Sequence, residues 1–400
     1  MSLFCQTPLD IQEDKKMESH NFNNNLYGVD VAINAETGLP VLHELNGICS
    51  GMKGFRKLDL REQLDNNLAD RIIKIADDKP IIMGVAQRAL YKILKNKGTN
   101  VSKINPELPL TFGLEKKVNK CGFIYGSDPT LQSSFFYWTD KKGHQNKCAN
   151  PLLLEWLVGS KLSQQVLLEK SEVSDSIPEG VFICNGESNW QEYVETSGHD
   201  TFVYKPLFGC QGRGIEILNR EEALKVLEKD SILKTVLKTV GKIFTPIEYD
   251  QCSAPRKRPK ALLQKFVKSK PVYCAETGNY HSASARIIHF NGAIEGYWRL
   301  SPKAVDDPNA SEETKHVVNL SREGLAAPMS DKDKEILFPY ADKVIAAFES
   351  QAKDLTFSSI KHFYKFRNDI YQALVEDGKV RKLTDYISNK EGPTPMRVFG

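Results

Sequence analysis

The chain has no paired cysteines: its eight stand singly at positions 5, 49, 121, 148, 184, 210, 252 and 274 of 400 residues. Without a C-x-x-C spacing, a zinc ribbon or a thioredoxin-type redox centre has no ligands to build on. Scattered thiols in a chain this long read as reduced, mostly buried side chains of a reducing compartment. Long hydrophobic runs are lacking too, since nothing approaches the ~20 apolar residues that cross a bilayer. The first 25 residues are polar, with no signal-peptide core. These absences predict a cytoplasmic protein without membrane insertion. Charge of one sign is the third shortage. The formal net charge is +3, which gives no support to a nucleic-acid partner. Internal repeats are not found.

What is present fits a globular protein with more than one core. Hydrophobic residues make up 40% and charged residues 26%, enough to bury an interior and solvate a surface. Four hundred residues predict two or three subdomains. Residues 1–25 read as a loose polar arm. Leu58 to Ala76 has helical spacing of Leu60, Leu64, Leu68 and Ile72, and ends at Asp77-Asp78-Lys79-Pro80. Strand Ile81 to Val85, a helix from Gln87 to about Lys97 and a strand Gly122 to Tyr125 predict a small parallel α/β unit. Leu152 to Lys170 reads as one helix, followed by strand Val181 to Cys184 and a short helix Trp190 to Thr196. Asn219 and Glu222 form a capping box for a helix reaching about Thr239. A basic connector follows at 246–260, then strand Ala261 to Val267. Ser284 to Phe290 and Ala293 to Leu300 form a hairpin across Asn291-Gly292, a strong turn signal. Ser330 caps a helix that carries Leu337, Tyr340, Val344 and Phe348, and a second helix is expected over Ser358 to Glu376.

Two stretches carry chemistry. Tyr27 to Gly51 reads as two strands, Val29, Val31 and Ile33 alternating on one side and Leu39, Val41 and Leu42 on the other, joined by Asn34 to Gly38. Glu44 and Asn46 share a strand face, and a paired strand brings Asp30 alongside. Two carboxylates and an amide carbonyl make a hard oxygen site suited to Mg²⁺. By itself the stretch also reads as an ordinary hairpin with polar residues at its end. Strand alternation turns His43 away from Glu44, toward packing. The second stretch is strand Thr201 to Pro206, a loop with Gly209, Gly212 and Gly214, and strand Ile215 to Leu218. Such a loop exposes successive backbone N–H groups to an anion. It lacks the GK[ST] of a P-loop and does not open a helix, so neither the Walker nor the dinucleotide pattern applies.

Taken together, residues 26–56 and 160–350 resemble the ATP-grasp fold. Lys161 stands where that family places its first ATP lysine, and Lys205 in VYKP matches the lysine on the α- and β-phosphates. The 209–214 loop, with Gly209, Gly212, Arg213 and Gly214, resembles the flexible glycine loop over the triphosphate. Gln264, Lys265 and Val267 resemble the hinge that reads adenine, through Lys265 C=O and Val267 N–H. Arg286 and Arg299 match the arginines facing the γ-phosphate and the acyl-phosphate, and Asn319 resembles the asparagine of the "N…GG" loop. The family's metal residues normally come last, as an Asp and then Glu-x-Asn. Here Asp30 and Glu44-Leu-Asn46 come first, which implies a circular permutation with the 330–352 helix leading into YGVDV in the usual order. Four positions depart from the pattern: Ser284 replaces an Asp, Leu325 a glycine, Pro271 a ribose-binding glutamate, and Cys210 or Gln211 a serine.

The resemblance implies a mixed α+β and α/β protein, a permuted ATP-grasp with a parallel pre-ATP-grasp-like unit and a helical tail. Its expected parts are an arm (1–25), the permuted metal hairpin (26–58), the α/β unit (59–160), the small ATP-grasp subdomain (161–260), the core subdomain (261–353) and the tail (354–400). It implies an ATP-dependent carboxylate–amine ligase using ATP with Mg²⁺, or Mn²⁺ in its place. The acid and amine would be small molecules or peptides. The alternatives are a kinase on the same scaffold and a non-catalytic ATP-binding module. Cys49 and Cys210 are expected bystanders, because positioning and electrostatics supply the catalysis.

Overall fold

Three sheets organise the computed structural model, which describes residues 24–47, 52–84, 88–104, 119–125, 148–150, 152–159, 161–184, 190–206, 214–225, 259–320 and 323–353. In chain order, β1 (Leu26–Ile33) and β2 (Pro40–Asn46) form the opening hairpin, followed by α1 (Met52–Lys57) and α2 (Arg61–Ala76). The α/β unit adds β3 (Ile81–Gly84), α3 (Arg88–Asn96), β4 (Val101–Ile104), β5 (Phe123–Tyr125) and β6 (Cys148–Ala149). Next come α4 (Leu152–Gly159), α5 (Lys161–Glu169), β7 (Gly180–Cys184), α6 (Trp190–Thr196), β8 (Thr201–Pro206), β9 (Glu216–Asn219) and α7 (Arg220–Leu224). The last part holds β10 (Pro259–Lys265), β11 (Val272–Cys274), β12 (Asn279–Phe290), β13 (Ala293–Ala304), α8 (Glu312–His316), β14 (Leu325–Pro328) and α9 (Asp331–Lys353).

The large sheet is antiparallel, in order β14-β13-β12-β1-β2, with β11 also on β12. The opening hairpin therefore joins a sheet whose other strands lie more than two hundred residues away. A second antiparallel sheet runs β7-β10-β8-β9, and the third is parallel, β4-β3-β5-β6. This is the mixed α+β architecture the sequence predicts, including its small parallel unit.

Alternation divides the large sheet into two unlike faces. Val29, Val31, Ala285, Ile287, Trp298 and Leu300 project to one side and pack under Leu337, Val344 and Phe348 of α9. On the other side Leu26, Ile288, Phe290 and Tyr297 meet Leu64, Leu68 and Ile72 of α2. Asp30, Arg286 and Tyr297 are opposite one another on adjacent strands and so share this second face. The polar stripe lies beside the apolar ground on which the α/β unit docks. The second sheet has its own core of Trp190, Val194, Phe202, Leu218 and Leu263.

Local signals are realised where the chain makes its own turns. Asn291 and Gly292 both take positive φ, 53° and 103°, as a two-residue hairpin of this sequence requires. Asn219 and Glu222 form the reciprocal capping box, and Ser330 caps α9 through Asp333 N–H at 3.1 Å. Three expectations are corrected. The 152–170 stretch is two helices, ending at Gly159 and resuming at Lys161. The helix expected from Leu58 starts at Arg61, after the separate α1. The third correction is a β-bulge, described with the site. The expected helix at 358–376 lies outside the described residues, as do Gly209, Gly212 and Arg213, nearly all of the 246–260 connector and the helix after Asn219 beyond 225.

Candidate active site

The polar stripe of the large sheet faces the second sheet across an open cleft. Pro178, Val203, Ile215, Ile217 and Phe266 supply an apolar slot in its lining. Asp30, His43, Glu44, Lys161, Lys205 and Arg299 supply the charged and polar lining, and Asn319 also lines the space. Lys265 and Val267 line the cleft where β10 ends. Thus Asp30, Glu44, Lys161, Lys205, Gln264, Lys265, Val267, Arg299 and Asn319 come together from six parts of the chain. Gly214 begins the approach to β9.

Asp30 is the hub. Its carboxylate, 2% exposed, accepts from Arg286 Nε at Oδ1 and from Arg286 Nη2 at Oδ2 (2.8 Å). Arg299 Nη2 lies 2.9 Å from the same Oδ2, and Asn46 Nδ2 donates to it at 3.2 Å. Burial opposes the charge of Arg286, and the Asp30 carboxylate more than offsets this, raising the guanidinium pKa. Gly28 gives the guanidinium its place, because a Cβ there would meet Arg286 Nη1 at 3.1 Å. Ser284, in place of the expected acid, accepts from Arg299 Nη2 at 3.2 Å.

Glu44 pairs through Oε1 with Lys161 Nζ at 3.3 Å. Lys161 is held there because α5 is clamped to β2. Gln164 Oε1 accepts from Leu45 N–H at 2.7 Å, and Gln164 Nε2 donates to Leu45 C=O at 2.8 Å. Lys205, at the end of β8, is half-buried, and its loss of hydration pushes its pKa down to about 8; Glu44 opposes this shift and Lys161 adds to it. Its Nζ donates to His43 C=O at 3.4 Å. Gln264 turns its side chain away from the hinge, donating to Gln165 Oε1 at 2.9 Å and to Pro178 C=O at 3.2 Å.

His43 is the residue that strict alternation misplaces. Asp30 pairs with Glu44 and the next pair is Val31 with Leu42, so His43 is the extra residue of a bulge. Leu45 and Leu42 both remain in the core, and His43 lines the cleft beside Glu44 instead of packing behind it. Burial, then the Lys205 and Arg299 charges, push its pKa down to about 3 against the opposing pull of Glu44. The signal was in the sequence: apolar residues at 41, 42 and 45 break a period of two. Tyr297, also missed, stacks edge-on with Phe55 at 4.7 Å on the row of Arg286. Lys53 and Lys57 of α1 donate to the carbonyls of Leu320 (3.2 Å) and Gly324 (3.4 Å), bracing the loop that Asn319 opens.

Four cations, Lys161, Lys205, Arg286 and Arg299, thus face two carboxylates, Asp30 and Glu44. The excess is positive, matched to a polyanion. Among the described residues no group of three or more His, Cys, Asp or Glu side chains forms a ready-made cation site. Asp30, Glu44 and Asn46 are nonetheless hard oxygen donors grouped on two paired strands. Their chemistry fits a Mg²⁺ ion that completes its shell with water and phosphate. No helix among the described residues is long and apolar enough to cross a membrane.

No family model matches the chain, and no curated protein matches it in sequence. Solved structures do align with it. A gamma-glutamylcysteine synthetase-like protein from Methylobacillus flagellatus is 13% identical, over 83% of this chain and 90% of its own, with a TM-score of 0.46. The D-cycloserine synthetase DcsG is 12% identical over 68% of this chain and 81% of its own, with a TM-score of 0.39. D-alanine–D-alanine ligase from Bacillus anthracis is 14% identical over 68% and 78%, with a TM-score of 0.35. These are two synthetases and a ligase by name, each at a TM-score below 0.5.

Proposed function

We propose that the protein is an ATP-dependent ligase that joins a carboxylate to an amine through an acyl-phosphate, releasing ADP and phosphate. The observation that supports this reading is a single cleft whose lining joins apolar side chains to Lys161, Lys205 and Arg299 set against the carboxylates Asp30 and Glu44, with Arg286 behind Asp30. In this reading adenine lies between Val203, Ile215, Ile217 and Phe266, against the backbone of Lys265 to Val267. Lys161 and Lys205 hold the α- and β-phosphates. Glu44, Asn46 and Asp30 would hold Mg²⁺, which would supply neutralisation of the phosphate charge. Arg286 and Arg299 orient the γ-phosphoryl group for in-line attack by the substrate carboxylate. They then stabilise the oxyanion formed when the amine adds to the acyl-phosphate. Asn319 borders the reacting groups. No side-chain nucleophile is required.

The reading also makes the chain a permuted ATP-grasp. The opening hairpin occupies the sheet position beside β12 and packs under α9, the helix that would precede it in the usual order. Its acid and amine are small molecules or peptides, and its compartment is the cytoplasm. The test is a screen of acids and amines for stimulated phosphate release from ATP, followed by the mass of the product. An amide with ADP and phosphate is expected, whereas a stable phosphoester would make the protein a kinase. Glu44→Gln and Asn46→Ala are each expected to abolish turnover without lowering the melting temperature. Wild-type activity in either variant would remove the metal assignment.

A further inference from the structure

We propose that His43 is a phosphate-contacting residue of the cleft, its imidazole N–H donating to the triphosphate between Lys205 and Arg299. This rests on reading the cleft as a nucleoside-triphosphate site. Three observations lead to it. The first is the bulge. An extra residue interrupts a ladder at the row of Asp30 and Glu44, and its effect is to keep Leu42 and Leu45 in the core while turning His43 to the opposite side. Bulges are placed in this way beside sites because they re-aim one side chain without changing the rest of the strand.

The second is position. His43 lines both the main cleft and a smaller chamber behind it, and it shares both with Lys161, Lys205 and Gln264. The charges that act on its ring are those of Lys205, Arg299 and Glu44, all on the site face. The third is its hydrogen bonding. Among the described residues the ring nitrogens have no partner, while the backbone carbonyl accepts from Lys205 Nζ at 3.4 Å. His43 is half-buried on the cavity wall, so its ring nitrogens are open to a group of a bound ligand. Lys161 and Lys205 approach the same space, so the ligand group that reaches all three is an anionic oxygen. One N–H from His43 adds direction where two flexible ammonium groups add charge.

The test compares ATP with adenosine by isothermal titration of the full chain, for wild type, His43→Leu and His43→Gln. His43→Leu is expected to weaken ATP about tenfold, the scale of one hydrogen bond to a charged group. Adenosine, which lacks the phosphates, is expected to bind all three proteins alike. His43→Gln keeps an N–H at similar reach and is expected to recover most of the loss. Unchanged ATP affinity in His43→Leu would overturn the assignment and leave the residue a backbone role only. Equal losses for ATP and adenosine, or no recovery in His43→Gln at an unchanged melting temperature, would overturn it as well. A wild-type protein that binds neither ligand would instead bring down the nucleotide reading of the cleft, and this assignment with it.

Discussion

Lys205 is charged at a place that disfavours charge. Its ammonium is poorly hydrated, and Glu44, although it outweighs the repulsion of Lys161, only partly offsets that, so it loses its proton near pH 8 rather than 10.5. Below about pH 8 the folded protein carries the full cost of that poorly hydrated charge. As pH rises toward 10.5 the unfolded chain binds more protons at this lysine than the folded one, and the cost is relieved. This group alone therefore makes the free protein more stable as pH rises through that window. Nucleotide affinity runs the other way, because the phosphates need the ammonium. ATP affinity is expected to fall as pH rises above about 8, and at pH 8 binding should take up about half a proton at this group. Titration calorimetry in buffers of different ionisation enthalpy measures that uptake. The same experiment on Lys205→Met should lose it, and an unchanged uptake would place the titrating group elsewhere. Asp30 shows how a single residue type changes meaning with its surroundings. In sequence it was one of three metal candidates, and in the structure both its oxygens also organise the arginine pair.

Two side-chain amides hold the β1–β2 hairpin at its ends. Asn150 accepts from Leu26 N–H at 2.6 Å and donates to Leu26 C=O at 2.8 Å, and Gln164 does the same for Leu45. Leu45 lies on the last strand of the path β14-β13-β12-β1-β2, where no further strand of that sheet satisfies its backbone. Gln164→Leu would leave an enclosed N–H and C=O without partners, each costing about 1–3 kcal/mol. The expected result is a lower denaturation midpoint together with weaker ATP binding, because Lys161 and Glu44 lose their common support. A variant that loses stability but binds ATP like wild type would separate the clamp from the site. What the sequence made legible follows from the range of the forces involved. The Asn291-Gly292 turn, the capping box at Asn219 and the end of α2 at Asp77 are decided within a few residues, and they form as expected. Periodicity alone missed the end of α4 at Gly159 and the bulge at His43, where Leu42 and Leu45 both pack into a core shared with strands distant in sequence. Val101–Ile104 was also missed, since a four-residue edge strand has little pattern of its own. Glu44 and Asn46 were readable by type and spacing, and the two lysines through the resemblance. The Asp30 to Arg286 contact, 256 residues apart, was legible only through the resemblance.

At the scale of the molecule the cleft lies between two sheets with separate cores, one built on α9 and the other around Trp190 and Phe202. Lys205 and the hinge belong to the second sheet, while Asp30, Glu44, Arg286 and Arg299 belong to the first. Among the described elements, α8 touches β9, β12 and β13, and so bridges the two sheets near the slot. His316 of α8 shares a hydrogen bond of 2.7 Å with Ser282 and packs 5.3 Å from Phe266, fixing that bridge. A nucleotide that places its base in the slot and its phosphates on the cations must therefore contact both bodies. By mass action ATP at a hundred times its Kd should stabilise the fold by about 2.7 kcal/mol. Adenosine at the same multiple of its own Kd should give the same total, so melting temperature alone does not distinguish the two. Hydrogen exchange does. ATP is expected to slow exchange in both β8 and β1–β2, whereas adenosine should protect β8 and the hinge and leave β1–β2 as in the free protein. The ATP effect should also weaken as salt rises, because the phosphate contacts are partly screened over a Debye length of about 8 Å at physiological ionic strength. Equal protection of the hairpin by adenosine would mean that its stability is set by packing against α9 and not by the anion it faces.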